Sequence, residues 1–581
     1  MPRHDQPHLS YRFNHVVVER DLFRVFKGAQ LMSLEPRAFD LLIYLIEHRD
    51  RVVEKQELFD QIWKESFVTD DALAQEIKNI RHAIGDAAGT PRYISTVRKR
   101  GYRFIADVII EERRAAVSVA SVPSIAVLPF ANLSAAPENE YFCDGLAEEL
   151  LNTLTRVRDL RVVARTSAFS LRNQKLDVHE IGRRLNAATI LEGSVQRRGN
   201  RVRILTQLIS AADGYHLWSE QFDREMDDIF AIQDEIAAAI IDRLKVKLLP
   251  SEKSTVVKRY TGSVDAYHLY LRGRHFWNRR FSPGAPEKAL EYFQQAIGVD
   301  PRYGLAYSGL ADYYNLQGIF QFRASHETFP TAKAAAEKAL EIDNTIAEAH
   351  TSLAYTKMLY SWDWPGAECE FKKALELNPG YPTSHLWYAQ YLCAMARFDE
   401  AVAEARRAED LDPLSLSINA NVGLVLYWAR EYKQAVEQLE KTLELDPDFG
   451  LAYVYLAFVL IQQGRYDQAI AAIQKSMEHT GYMPLAISKL GYAYSLRGDK
   501  AEAQKVLKEA EAHFEKLGLP STVLAEIHGG LGDREKFFEC LNRAYEERSP
   551  LLPWLKIYPE YDTMRSDPRY DELLRRLGLA P

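Results

Sequence analysis

Between Val68 and Phe104 the sequence holds two neighbouring groups of side chains that could contact a nucleic acid. The first group is polar and recurs at helical spacing, with Gln75, Lys78, Asn79 and His82. Amide and cationic donors of this kind can reach base edges and phosphates in a major groove. The second group is basic, because residues 92–103 contain five basic residues and no acidic one. Both groups predict contacts with a polyanion.

Two elements would position these side chains. A helix opened by Thr69 as N-cap would place four apolar residues on one face, namely Leu73, Ile77, Ile80 and Ile84. The polar group would then point away from the core. Residues 92–104 predict two short strands joined by a basic turn. Each feature alone is common on ordinary protein surfaces, whereas their order predicts a helix followed by a cationic hairpin, or wing.

Residues 11–105 resemble an OmpR-type winged-helix DNA-binding domain of the CadC/ToxR-like kind. The resemblance rests on the leading strands, on the stretch 35–42 and most specifically on the ending 93–104. It implies DNA contacts at the outward helix positions and at the wing, and the candidate residues are Gln75, Lys78, Asn79, Arg81, His82, Thr96, Arg98, Lys99 and Arg100. Asn79 stands where many relatives carry arginine, which predicts a weaker or differently specific base contact there.

The whole-chain composition sets the limits of this interpretation. A chain of 581 residues is too long for one core, and 47% hydrophobic with 27% charged residues is typical of a globular protein. The net charge of −8 argues against a protein whose whole surface is basic and binds nucleic acids without sequence preference. Residues 1–110 hold 17 Lys+Arg against 16 Asp+Glu. Affinity for DNA would therefore depend on where the charges lie, not on their sum.

The cysteines and the apolar stretches predict a cytoplasmic protein. The four cysteines lie far apart and form no CxxC pair, so we expect neither a metal site nor disulfides. The first ten residues lack the apolar core of a signal peptide. Residues 115–130 are too short for a membrane span and contain Pro123 and Pro129. We expect no cofactor and no contact with a membrane.

Alternating helical and strand-like runs predict an α/β middle domain at 123–250. It resembles the TolB N-terminal-like domain in Ile125–Phe130, Leu191–Val195 and Leu217–Glu220. A stretch of small and charged residues at 108–122 predicts a linker between this domain and the winged helix. We assign the winged helix to residues 8–107. No GxxxxGK[ST] loop and no GxSxG motif occur in the middle domain, so we predict no enzyme.

A repeat begins after Tyr260. Pro379, Pro413 and Pro447 are spaced by 34 residues, and small residues recur at fixed offsets from them. This period predicts an all-α tetratricopeptide (TPR) solenoid at 260–551 with about eight repeats, followed by a C-terminal cap at 552–581. An insertion of about nine residues between Gly318 and Pro330 breaks the period, and we expect it to form a loop.

The inner face of such a solenoid is the expected site for a protein partner. Its apolar and aromatic residues in the later repeats would be Leu424, Tyr427, Leu451, Val454, Phe458, Ile461 and Tyr492. They predict a groove for a helix or an apolar peptide. The alternative, residue by residue the commoner one, is that they pack between repeats.

Three functional classes are consistent with these features. The first is a sequence-specific DNA-binding transcription regulator that uses its TPR array for sensing or self-association. The second is a TPR scaffold in which the winged helix serves as a docking module. The third is an enzyme in the middle domain, which no motif supports. The uninterrupted basic turn favours the first class, with duplex DNA, a protein or peptide, RNA polymerase and a second copy of the chain as partners.

Overall fold

The protein is described by a computed structural model, in which two compact units comprise residues 1–121 and 122–581. The residues described are 8–580, without 15, 20–23, 28–29, 33, 35, 63–69, 88, 98–99, 114–122, 135–139, 158, 173, 175, 226–228, 245–259, 279, 281–283, 321–322, 481–482 and 518–520. Thr69, Arg98 and Lys99 therefore lie outside the described residues.

The described residues of unit 1 form two antiparallel sheets and three helices. The first sheet has the order β4-β3-β2-β1-β8, with β1 His8–Phe13, β2 Val16–Glu19, β3 Arg24–Lys27, β4 Gln30–Met32 and β8 Ile109–Arg113. The second has the order β5-β7-β6, with β5 Val53–Glu54, β6 Ile94–Val97 and β7 Gly101–Phe104. The helices are α1 Pro36–Glu47, α2 Lys55–Ile62 and α3 Asp70–Ile84.

Amphipathic periodicity explains how this unit packs. The predicted stripe of α3 is buried from Leu73 to Ile84, and one face of α1 is buried as well, including Phe39 and Leu42. The leading strands on which the resemblance rests lie in the first sheet. The predicted linker is wrong at its start, because residues 109–113 form β8 and pair antiparallel with β1. A strand added to an open sheet edge satisfies backbone groups and needs little apolar character.

The sheet domain of unit 2 is mixed. Its strands run in the order β11-β9-β12-β13-β14, and β10 pairs with β12; the strands are β9 Ser124–Val127, β10 Ala131–Asn132, β11 Arg161–Val162, β12 Thr189–Arg198, β13 Arg201–Ser210 and β14 His216–Glu225. The helices are α4 Glu140–Leu154, α5 Arg165–Ser170, α6 Val178–Leu185 and α7 Ile229–Arg243. Strands β12 and β13 form a hairpin about Gly199 and Asn200, where Arg198 faces Arg201.

The rest of unit 2 is a solenoid of eight antiparallel helix pairs within the described residues. The pairs are 264–277 with 285–299, 304–319 with 325–342, 347–356 with 364–377, 382–394 with 398–411, 416–428 with 432–445, 450–462 with 466–480, 484–497 with 500–517, and 521–531 with 534–546. The predicted loop at the insertion is wrong. The extra residues lengthen both helices of the second pair, and Pro330 lies inside the helix Ser325–Ile342.

The sheet domain and the solenoid share polar contacts and belong to one unit. Ser167 at the start of α5 donates from its backbone N (2.9 Å) and its Oγ (2.5 Å) to Asp412 Oδ1. The backbone N of Ala164 donates to Leu411 O at 2.7 Å. Asp412 terminates the second helix of the fourth pair, so this helix end is fixed against the sheet domain.

Residues 549–580, named here the C-terminal segment, return along the inner side of the solenoid. Two 3₁₀ turns, Leu552–Trp554 and Pro559–Met564, precede the helix Pro568–Arg576. Trp554 Nε1 donates to Gln390 O at 3.1 Å, and Trp364 Nε1 donates to Leu577 O at 2.7 Å. The segment therefore contacts repeats far from its own position in the chain.

Candidate DNA-binding surface

The exposed side of α3 carries the polar residues that its periodicity predicts. Gln75, Lys78 and His82 are exposed, and Asn79 is half-buried beside them. Gln75 Nε2 donates to Asn79 Oδ1 at 3.0 Å, and Asn79 Nδ2 lies 3.4 Å from Glu76 Oε2. The two amides are thus aligned one helical turn apart. Such a pair can present both donors and acceptors to base edges.

Arg81 points toward the hairpin. Its Nη2 donates to the backbone carbonyl of Ile94 at 2.8 Å and to Thr96 Oγ1 at 3.0 Å. Only 12% of its side chain is exposed. Arg81 therefore joins α3 to strand β6, and the hydroxyl of Thr96 already accepts one of its hydrogen bonds. The guanidinium positions the wing relative to the helix.

Asp86 orders the loop between α3 and β6, a role that our sequence analysis missed. Its buried carboxylate accepts hydrogen bonds from the backbone N of Ala87 (3.0 Å), Arg92 (2.7 Å) and Ile94 (2.8 Å). Gly85 precedes it with a φ of +75°, as expected for a residue that ends a helix. The dipeptide Gly85-Asp86 after an apolar stripe was the signal that could have identified this turn.

The wing is a hairpin of strands β6 and β7. Val97 faces Gly101 across the strand pair, and Arg100 N donates to Val97 O at 3.0 Å. A Cβ on Gly101 would lie 1.9 Å from Val53 O, so only glycine allows β7 to approach β5 this closely. Arg100 is exposed. The other two predicted tip residues, Arg98 and Lys99, are those outside the described residues.

An exposed ion pair stabilises the scaffold behind these elements. Arg51 Nη1 donates to Glu57 Oε2 at 2.8 Å, and Tyr44 OH donates to Glu57 Oε1 at 2.7 Å. The hydrogen bond from Arg51 is the main reason why the pKa of Glu57 falls to about 2. This pair fixes the first turn of α2 against α1 and takes no part in the predicted contacts with DNA.

The predicted groove of the TPR array is not open. All seven predicted residues are buried: Leu424, Tyr427, Leu451, Val454, Phe458, Ile461 and Tyr492. The C-terminal segment covers part of this surface, where Tyr427 OH donates to Glu560 Oε1 at 2.5 Å and Tyr492 OH lies 3.3 Å from Glu560 O. The expectation of an accessible groove at these residues is therefore wrong. Periodicity cannot show that a distant part of the chain fills the inner face.

A buried ionic cluster fixes the segment to the array. Lys489 is 2% exposed, and its ammonium contacts Glu526 Oε1 at 2.5 Å and also Glu560. The same Nζ lies 4.1 Å from the centroid of the Phe458 ring. Burial opposes the charge of the ammonium, and the two carboxylates outweigh it, so the pKa of Lys489 is raised.

No group of three or more metal-binding side chains occurs among the described residues. In the same part of the chain, no helix combines the length and the apolar composition that a membrane crossing requires.

Three family models match the chain. Residues 29–104 match the model described as "Transcriptional regulatory protein, C terminal". Residues 120–239, which we compared with a TolB-like domain, match "HilA/YgeH-like transcriptional regulator, second domain". Residues 429–481 match a tetratricopeptide repeat model.

Curated relatives agree with these matches. The transcriptional regulator HilA of Salmonella typhi is 23% identical over 413 residues, which are 70% of this chain and 71% of HilA. The transcriptional activator CadC of Escherichia coli K12 is 34% identical over 112 residues, 19% of this chain and 22% of CadC. A protein named "Putative adenylate cyclase 3" from Rhizobium meliloti is 35% identical over 241 residues, and the chain spans 41% of its own length and 40% of that relative.

The chain thus contains a winged-helix domain of transcriptional regulators, a HilA-like regulator domain and TPR repeats. These are domains of a DNA-binding transcriptional regulator, joined to a repeat of the type that binds other proteins.

Proposed function

We propose that this bacterial regulator binds specific DNA sequences through α3 and the wing. In this mechanism α3 enters a major groove and reads bases with Gln75 and Asn79. Lys78, His82 and the wing tip at Arg98, Lys99 and Arg100 contact phosphates or the adjacent minor groove. Arg81 and Thr96 hold the wing against the helix. The observation that carries the proposal is the pair of amides on the outer face of α3, the exposed Gln75 and the half-buried Asn79, on a helix whose other face is buried.

Placement of charge supports this proposal better than total charge does. Unit 1 is close to neutral, whereas the hairpin concentrates its basic residues at one turn. One of them, Arg103, donates to the backbone carbonyls of Arg49 (3.3 Å) and Asp50 (3.4 Å) and therefore stabilises the domain. We assign the remaining basic residues of the tip to the phosphate backbone, because phosphate contacts orient a protein without selecting sequence.

We further propose that RNA polymerase and a second copy of the chain are protein partners of the DNA-bound regulator. We assign no enzymatic activity to the sheet domain, since a relative named a putative cyclase does not transfer its activity to this chain. His179 in α6 has its Nδ1 2.8 Å from Ala211 O, which is a structural contact. A chromosomal target requires that the protein act in the bacterial cytoplasm.

The proposal is tested by the genomic DNA that co-purifies with the full-length protein. Gel shifts on a recovered site and on a random duplex then distinguish contacts to bases from contacts to phosphates. Gln75→Ala or Asn79→Ala should cost about 1–3 kcal/mol on the recovered site alone. Arg100→Ala should weaken binding to both duplexes and reduce the slope of log K against log salt by about 0.9.

Matched variants control for nonspecific effects. Gln56→Ala and Arg37→Ala remove an exposed amide and an exposed guanidinium from α2 and α1, and both should bind DNA as the wild type does. Failure of the folded protein to retain any duplex at low salt would refute the proposal. Equal losses on both duplexes for Gln75→Ala and Arg100→Ala would refute the division between base and phosphate contacts.

A further inference from the structure

Unit 2 contains a cavity of about 240 Å³ on the inner side of the solenoid, and three residues of the predicted groove, Leu424, Leu451 and Phe458, are part of its lining. Its wall is formed by helices α4 and α5 of the sheet domain, by the first helices of the solenoid pairs and by the C-terminal segment. We name it the lumen cavity. The charged residues of the lining come from α4, α5 and the first four pairs, which we call the charged end, and its stacked aromatic residues come from the third to fifth pairs and the C-terminal segment, which we call the aromatic end. Such a lining suits a ligand with an apolar body and polar ends.

Two arginines at the charged end, Arg165 and Arg274, have terminal N–H groups that donate to no described residue. Arg165 Nε and Arg274 Nε both approach the same carboxylate, Glu148, at 2.9 and 3.3 Å. Arg165 Nη2 lies 3.8 Å from Asp144 and Arg274 Nη1 lies 4.0 Å from Asp312, both beyond hydrogen-bond distance. Among the described residues, none accepts a hydrogen bond from these Nη atoms.

The carboxylates that line the cavity already accept hydrogen bonds from other residues. Asp412 accepts from the backbone and hydroxyl of Ser167, and Asp312 accepts from the hydroxyl of Ser352. The charges balance, because three arginines line the cavity together with three carboxylates: Arg165, Arg274, Arg280, Glu148, Asp312 and Asp412. The site therefore offers hydrogen-bond donors without a net charge for an ion to neutralise.

The aromatic end also offers an unused donor. Trp387 stacks on Tyr355 with ring centroids 4.0 Å apart, and Trp428 stacks on Trp554 of the C-terminal segment at 5.1 Å. Trp428 is 2% exposed, and its Nε1 has no hydrogen-bond partner among the described residues. A buried N–H without an acceptor costs free energy, and a ligand that accepts from it would recover that cost.

We propose that the lumen cavity binds a small, planar, uncharged molecule that carries hydrogen-bond acceptors. The rings would lie among the aromatic side chains, and the acceptors would meet Trp428 Nε1 and the guanidinium groups of Arg165 and Arg274. A cavity of this size is below the roughly 300–1,000 Å³ of pockets for drug-sized ligands, so two fused rings fill it better than a larger molecule. The inference concerns a site separate from DNA recognition and does not depend on it.

The test uses the full-length protein and isothermal titration calorimetry without DNA. Coumarin and chromone are two-ring molecules with acceptors only, and at least one of them should bind with a Kd below about 1 mM. Indole has a similar size but offers a donor, and 2-naphthoate adds a negative charge. Both should bind at least ten-fold more weakly. If neither coumarin nor chromone binds, or if indole or naphthoate binds equally well, the proposal is overturned.

Variants locate the site. Trp428→Phe keeps an aromatic ring but removes the donor, and it should weaken binding about five-fold. Trp362→Phe is the matched control, because Trp362 Nε1 is also buried without a hydrogen-bond partner among the described residues but lies outside the cavity lining. Leu451→Phe should fill part of the cavity and abolish binding at an unchanged melting temperature. Equal affinities for the two tryptophan variants, together with normal binding by Leu451→Phe, would overturn the site.

Discussion

Helix α3 and the inner helices of the solenoid carry polar residues in opposite situations. Gln75 on α3 is exposed, and within the described part of the chain its hydrogen-bond partner is Asn79 on the same helix. Gln390 on an inner helix is 6% exposed, accepts from Tyr355 OH at 2.9 Å and donates to Asn421 Oδ1 at 2.9 Å. A helix that packs on one side leaves its polar face for a ligand, whereas the buried amide of Gln390 bonds to both neighbouring inner helices and holds the repeats together.

The largest effect that we predict concerns the buried cluster of the solenoid. Lys489→Met would leave Glu526 and Glu560 facing each other without a counter-ion, and should lower the free energy of unfolding by about 3–5 kcal/mol. Guanidinium unfolding followed by tryptophan fluorescence measures it. Lys433→Met, with a side chain that is 91% exposed, should change stability by less than about 0.5 kcal/mol. Similar values for the two variants would remove the contrast between enclosed and open polar groups.

A smaller effect is expected where an enclosed polar group occurs within unit 1. Asp86→Ala would leave backbone N–H groups of the loop before the wing without an acceptor, and should cost about 1.5–3 kcal/mol of stability. Because the loop precedes the wing, binding to every duplex should weaken. Differential unfolding and gel shifts check both effects, with the exposed Asp107→Ala as control. An ordered wing with normal DNA affinity in Asp86→Ala would contradict this assignment.

Replacing one glutamine by alanine in α3 and one in the inner helices of the solenoid compares the two regions directly. Gln390→Ala would leave Tyr355 OH and Asn421 Oδ1 without their partner and should cost about 1–3 kcal/mol of stability. Gln75→Ala should change the free energy of unfolding by less than about 0.5 kcal/mol. Thermal and chemical unfolding of both variants provide the measurement. A loss of stability in Gln75→Ala as large as that in Gln390→Ala would show that α3 is not free for a ligand.

The smallest expected effect is the pH dependence of the stability that the ion pair between Arg51 and Glu57 gives to unit 1. The pKa of Glu57 is lowered from 4.5 to about 2 by Arg51, so its contribution is present above pH 4.5 and is lost as the pH falls to 2. Since the pair is partly exposed, it should contribute no more than about 1 kcal/mol. Unfolding of the wild type and Glu57→Gln should differ at pH 7 and converge near pH 2. A difference that grows as the pH falls would contradict the sign.

Periodicity in the sequence predicts those elements whose packing is local. The stripe of α3, the core face of α1 and the repeat helices follow from spacing, because neighbouring elements bury them, and the hairpin at Gly199 follows from its exposed Gly-Asn turn. Strand β14 was missed, since eight of its ten residues are half-buried or exposed. Its Trp218 and Phe222 are the two buried positions, too few for an alternating pattern.

Long-range contacts set the limit of such predictions. The pairing of β8 with β1 joins residues about a hundred positions apart, and no local pattern encodes it. Arg81 could be placed on α3 but not oriented, because its acceptors, Ile94 O and Thr96 Oγ1, lie on the wing. The spacing of the aromatic residues in the inner helices would be the same whether the inner face of the solenoid were empty or filled. Only the position of the C-terminal segment decides between these alternatives.

The return of the C-terminal segment has a consequence during synthesis. Glu560 follows its partner Tyr427 by 133 residues, so a ribosome adding roughly 5–20 residues per second needs on the order of ten seconds between them. Throughout that interval the nascent solenoid exposes its inner aromatic side chains to water and to chaperones. The last turns of the chain therefore act as a late closing step, and a stop codon before Trp554 would release a protein whose inner aromatic surface stays accessible.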